Sequence, residues 1–200
     1  MPYNFNIYTY KKLSLNEYKK FLQMFPSVYN NSSFINNWSR QLFNSDKEDL
    51  TEFELRELEH YLFTLPFCNI QCALNITKVY LYIKKQNITP ISVELTQFKK
   101  LPIKKKFLNT NTIFYRQHIY SMGKTNHPII ILKTFNEQFW VIDGNHRVSN
   151  KKFLLKKNIN AYIVEEKNIM HCFSNSFSLT LRKCYQEICH ISDEVSKNKI

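Results

Sequence analysis

Apolar residues recur at helical spacing near the start of the chain. LSLNEYKKFLQMF places Leu15, Tyr18, Phe21, Leu22 and Phe25 on one face, with Ser14 and Glu17 three residues apart in a capping-box arrangement. The pattern predicts a helix that stops at Pro26. A polar asparagine- and serine-rich segment follows. DKEDLTEFELRELEHYLFTL then sets Leu50, Phe53, Leu55, Leu58, Tyr61, Leu62 and Leu65 along a broad face, with Thr51 as a cap and seven acids suited to the first turns and the outer face. Residues 69 to 87 predict another helix, although the β-branched VYLYI also suits a strand.

After Thr89-Pro90 the pattern changes to short apolar runs. ISVEL (91 to 95), PIIILK (128 to 133), QFWVID (138 to 143) and INAYIV (159 to 164) read as strands. The four-residue TFNE between the second and third has hairpin length, and HRVSNKKFLLKKN reads as a short basic helix ending near Asn158. From Ser178 to about Lys197, Leu181, Cys184, Ile188, Ile191 and Val195 form a helical stripe. The expected architecture is α+β: a helical N-terminal region (1–88), a small mixed sheet with helices (89–166) and a C-terminal helical extension (167–200).

Composition adds a partner class. Residues 1 to 60 carry 7 basic and 8 acidic side chains, whereas residues 61 to 200 carry 21 basic and 8 acidic ones. The positive field therefore belongs to the second part, where it favours nucleic acid, nucleotides or another polyanion. No apolar run reaches the ~18 residues of a membrane span, and MPYNFNIYTYKK lacks the apolar core of a signal peptide, so a cytoplasmic protein without a membrane partner is expected. Five cysteines, Cys68, Cys72, Cys172, Cys184 and Cys189, make an odd set in which reduced thiols are the default.

The candidate chemistry lies in VIDGNHRVSN. Gly144 is one of two glycines in 200 residues, and it stands where a strand must turn into a helix. Lacking a Cβ, it permits positive φ and close approach of a ligand, while the helix start offers unpaired N–H groups to an anion. Arg147 adds a fork for phosphate, His146 can exchange a proton near neutral pH, and Asp143 can hold magnesium or orient a hydroxyl. Each also has a plain structural role: Asp143 as a cap, Arg147 as a surface cation, His146 as a packed imidazole.

Residues 127 to 164, HPIIILKTFNEQFWVIDGNHRVSNKKFLLKKNINAYIV, resemble the core of the ParB/sulfiredoxin superfamily, with HPI opening a strand and VIDG-x-HR closing the hairpin and starting a helix. With ISVEL as a first strand, the resemblance extends to residues 88 to 166. It implies that Asp143, Gly144, Asn145, His146 and Arg147 face nucleotide phosphates or a catalytic centre. Sulfiredoxins carry a reactive cysteine where this chain has Asn145, which argues against sulfinic acid reduction. Free serine kinases share the HPI and VIDG-x-HR pattern but need an upstream glutamate base, and between Glu59 and Glu137 the only acid is Glu94, inside ISVEL. Partition proteins place a DNA-reading helix-turn-helix after the nucleotide domain, for which the roughly 35 residues after the final strand are too few.

In RQHIYSMGKTNHP, Arg116, Lys124 and His127 are further candidates for phosphate contact, as implied by the same resemblance. GKT lacks the upstream glycine of a P-loop. KKLPIKKK (99 to 106) and KKFLLKK (151 to 157) mix cations with apolar residues, which suits a nucleic-acid backbone and equally an amphipathic element. His171, Cys172, Cys184, Cys189 and His190 lack zinc-ligand spacing, so no zinc is expected.

The leading expectation is an enzyme acting on a nucleotide or nucleic acid, by nuclease or NTPase chemistry. Asp143 and His146 would be catalytic, with nucleoside triphosphate and magnesium as cofactors, the latter at Asp143. The alternatives are a non-catalytic nucleotide- or DNA-binding accessory whose N-terminal helices contact a protein partner, and a kinase of a small hydroxyl compound such as free serine.

Overall fold

A computed structural model of the chain describes residues 13–45, 60–64, 71–97, 127–145, 147–148, 151 and 155–197. Its elements, in order, are helices α1 (Leu15–Leu22) and α2 (Ser32–Asn44), strands β1 (His60–Thr64) and β2 (Gln71–Asn75), helix α3 (Ile76–Lys85), strands β3 (Ile91–Glu94), β4 (Ile129–Lys133), β5 (Phe139–Asp143) and β6 (Asn158–Glu165), and helix α4 (Ser176–Lys197). Among the described residues the architecture is mixed α+β, with four helices and a four-stranded mixed sheet in addition to the β1–β2 pair. Two compact units divide it: one takes in Met1–Ile76 and Met170–Ile200, the other Thr77–Ile169. The division places nearly all of α3 with the sheet and α4 with the N-terminal elements.

In the first unit, α1 carries both halves of the capping box: Glu17 N–H donates to Ser14 Oγ at 3.3 Å, and Ser14 N–H donates to Glu17 Oε2 at 2.7 Å. Tyr18, Phe21 and Leu22 are buried along its inner face. The asparagine- and serine-rich segment, to which the apolar pattern assigned no element, is α2. Asn31 Oδ1 accepts from Phe34 N–H at 3.0 Å, and the sparse apolar set Phe34, Ile35, Trp38 and Leu42 is buried on one stripe.

The helix expected across residues 50 to 65 is corrected at its end, since His60–Thr64 is a strand paired antiparallel with Gln71–Asn75. The aromatic and threonine content of Tyr61, Phe63 and Thr64 suits a ladder, which satisfies backbone groups between two segments instead of within one. The earlier part of that expected helix lies outside the described residues. The 69 to 87 reading divides: residues 71–75 are extended and 76–85 helical. The strand half is tied to the C-terminal helix, because Ala73 N–H donates to Ser178 Oγ at 3.1 Å.

The second unit holds the sheet in the order β3-β6-β4-β5. β4 and β5 form the expected hairpin. At its turn Thr134 N–H donates to Gln138 C=O at 2.8 Å, and Glu137 sits at φ 61°. β6 returns parallel to β4, and β3 lies antiparallel on the far side of β6. One face buries Val93, Leu95, Ile129, Ile131, Val141, Val148, Ile159 and Ala161 together. Glu166, only 1% exposed, accepts from Phe135 N–H at 3.0 Å and so tethers the hairpin turn to the end of β6.

No described helix is long and apolar enough to cross a membrane. The four described cysteines, Cys72, Cys172, Cys184 and Cys189, are unbridged. Burial pushes the Cys184 thiol far above its ordinary range, with Glu187 and Cys72 adding to the effect.

Candidate functional site

Strict alternation along β5 would carry Asp143 to the same face as Val141, which is part of the buried cluster. A bulge prevents this. Ile131 pairs with Val141 but Ile130 pairs with Asp143, so one residue of β5, Ile142, is extra. Asp143 then shares the face of Ile130, opposite the buried cluster, and its side chain stays 30% exposed. Neither glycine nor proline marks this bulge in the sequence.

On that face Asp143 Oδ2 receives two donors. The Tyr80 hydroxyl of α3 donates at 2.8 Å and Arg147 Nη2 at 2.7 Å. Asp143 and Arg147 stand four apart around the start of a helical turn, the favourable acid-first order for such a pair. Arg147 is 14% exposed, so its ion pair is screened less than a surface one. Burial, reinforced by the Asp143 carboxylate, raises the Tyr80 pKa above its usual value, with Arg147 opposing more weakly. The phenol therefore remains a protonated donor at neutral pH. Among the described residues, Asp143 Oδ1 takes no hydrogen bond.

Gly144 adopts φ +92°, as expected of a strand-to-helix turn. Its carbonyl accepts the first helical bond, from Val148 N–H at 3.0 Å. The space above its Cα is filled, however: a Cβ there would lie 2.5 Å from Ile129 Cγ2 and 2.8 Å from Arg147 Nη2. An anion approaching the Gly144 backbone would have to come from a side other than the one these two residues fill. The glycine lets the turn pack against β4 and lets the guanidinium fold back across it to reach Asp143. The expected bidentate fork of Arg147 is likewise partly committed, since Nη2 already serves Asp143.

Asn145 is exposed at the start of the helical turn. His127 is also exposed, two residues before β4. Strand directions put it at the same end of the sheet as Asp143, because β4 starts where β5 finishes. His146, Lys124 and Arg116 lie outside the described residues, as does KKLPIKKK. The sequence reading missed Tyr80, whose neighbours Val79 and Ile83 mark only a buried helix face. No local signal links it to a carboxylate 63 positions away.

Chemically, the cluster is a carboxylate with one oxygen fixed and the other available to a cation or a hydroxyl, beside a guanidinium with further N–H groups. No group of three or more His, Cys, Asp or Glu that could enclose a metal ion occurs among the described residues. A magnesium ion at Asp143 would therefore draw most of its ligands from water and substrate phosphate, as that ion commonly does. No family model, curated protein or solved structure matches the chain.

Proposed function

We propose that the protein takes a phosphate-bearing ligand, a nucleotide or nucleic acid, at the turn after β5 in a ParB/sulfiredoxin-like domain, and acts on it as a nuclease or NTPase. The observation that carries this reading is the arrangement of Asp143 and Arg147 about a positive-φ glycine turn, with Tyr80 reaching the carboxylate from α3. Two donors hold Oδ2 of Asp143, so Oδ1 is the oxygen that would hold a magnesium ion or an attacking water, and Arg147 would supply positive charge to the phosphate. Asn145 and His127, exposed at the same end of the sheet, would contact the ligand, with His146 as a proposed acid or base. The one-sided charge of the chain brings such a ligand in.

A non-catalytic binding module is the second reading, and the same ion pair favours it. A carboxylate with one oxygen already shared by a guanidinium and a phenol is committed to holding the turn, which suits a structural part in binding as well as chemistry. A thermal-shift panel of nucleoside triphosphates, DNA and RNA, with and without magnesium, tests the shared part: a ligand at 100 times its Kd stabilises by about 2.7 kcal/mol. Turnover of any stabilising ligand then separates enzyme from module. Absence of any shift with the whole panel would reject both.

A further inference from the structure

A leucine exposed singly on a surface calls for no explanation. Leu155 does, because it is 89% exposed and also held at φ 53°. Lys156 N–H donates to Lys151 C=O at 2.9 Å, the six-to-one bond of a helix C-terminal motif in which the left-handed residue is usually glycine, or asparagine. Leucine is a poor choice for that conformation, and its side chain gains nothing from burial here. The position breaks a local rule on both counts, the kind of exception that points to a task outside the fold.

The surroundings indicate the task. Lys156 and Lys157 are exposed, Lys151 is partly so, and the tip is anchored by Leu95 N–H donating to Lys157 C=O at 2.8 Å. β6 starts immediately after the tip and runs parallel to β4. Its beginning therefore lies at the same end of the sheet as Asp143. An apolar side chain standing among cations on a hydrogen-bonded turn suits a nucleic-acid strand, where lysines meet phosphates and an apolar group packs on or between bases.

We propose that Leu155, with Lys151, Lys156 and Lys157, forms a nucleic-acid contact: Leu155 packs against a base and the lysines hold the flanking phosphates. The proposal rests on the phosphate-site reading and narrows its substrate class from nucleotide or nucleic acid to nucleic acid. The test is fluorescence anisotropy of the full chain with labelled single-stranded and duplex DNA, comparing the parent protein, Leu155→Asn, Lys156→Gln/Lys157→Gln and Arg147→Gln.

Asparagine suits the left-handed conformation, so Leu155→Asn should melt no lower than the parent. It should bind DNA about tenfold more weakly, and the lysine variant should bind with a shallower dependence on salt. Parent-like DNA binding by Leu155→Asn overturns the proposal, as does a parent that binds neither DNA form. If Leu155→Asn instead weakens only binding to phosphatidylserine vesicles, the tip is a lipid contact and the proposal is again overturned. The phosphate-site reading is judged apart, by whether Arg147→Gln abolishes the thermal response to whichever nucleoside triphosphate, DNA or RNA stabilises the parent.

Discussion

Tyr80 donates its phenolic proton to Asp143 Oδ2 at 2.8 Å, joining residues 63 positions apart. This bond fixes the carboxylate that Arg147 also holds, and it joins α3 to the end of β5. Two donors on one oxygen make Asp143 a directed group, and Oδ1 takes no hydrogen bond among the described residues.

The bond makes alkaline stability depend on Tyr80. The folded pKa of Tyr80 is raised above its ordinary value, so its contribution is fully present below about pH 10 and is lost as pH rises through the folded pKa. Tyr18, buried in α1 and raised for the same reason, adds to that loss. Tyr80→Phe should cost about 0.5–1.5 kcal/mol at neutral pH. It should also leave a shallower fall in stability above about pH 10, read from urea midpoints across that range. An unchanged alkaline limb would mean that Tyr80 does not titrate in this setting.

Gly144→Ala meets both a wrong backbone conformation and a filled space. The φ of +92° is unfavourable for any residue with a Cβ, and the new methyl would lie 2.5 Å from Ile129 Cγ2. Left-handed strain and overpacking together suggest a loss of about 2–4 kcal/mol, measured by chemical denaturation. Arg147→Gln should recover little of it, because Ile129 remains. Full recovery would show that the guanidinium, and not β4, fills the space that matters.

The elements legible in the sequence are those whose determinants are local. Ser14 and Glu17 announce α1 because both capping bonds form within one turn, and the β4–β5 hairpin is readable because its short turn and two apolar runs are contiguous. Elements settled by partners were not. His60–Thr64 has helical periodicity upstream but becomes a strand through Gln71–Asn75. Conversely α2 hides in polar residues, since Asn31 acts as its cap and four apolar side chains suffice to bury its stripe.

The candidate site divides in the same way. The turn at Gly144 was legible from the rarity of the residue and its neighbours, and its positive φ agrees. The occupant of the space beside it was not, because Ile129 comes from another strand and Arg147 folds back. The bulge that turns Asp143 away from the buried cluster has no composition signal, and Tyr80 arrives from a distant helix.

Asp143→Asn separates turnover from binding. Asparagine keeps an oxygen for the Tyr80 hydroxyl but removes the charge that holds Arg147, a pair of which the guanidinium is only 14% exposed. Stability should fall by about 1–3 kcal/mol. If the site is catalytic, turnover of nucleic acid or nucleoside triphosphate should drop by at least about 100-fold, while ligand affinity holds or rises as the guanidinium is released to phosphate. Unaltered turnover would remove Asp143 from the chemistry and leave the binding module as the better reading. A fall in affinity, by contrast, would place the carboxylate among the ligand contacts through a bridging magnesium, and the fall should vanish when magnesium is withheld.

Glu166 offers a test of how the hairpin is held. Its carboxylate is almost completely buried and accepts from Phe135 N–H at 3.0 Å, beside the turn where Glu137 occupies φ 61°. Replacement by alanine leaves that backbone donor without its acceptor and opens a cavity at the end of β6, for an expected loss of about 2–4 kcal/mol. Glu166→Gln keeps an acceptor oxygen and most of the volume, so it should lose less than half as much. Hydrogen exchange at Phe135 reports the bond directly: faster exchange should appear in the alanine variant ahead of any change at Ile131 or Val141 in the strand centres. Equal acceleration at all three sites would mean that Glu166 supports the sheet as a whole, and not the turn it reaches.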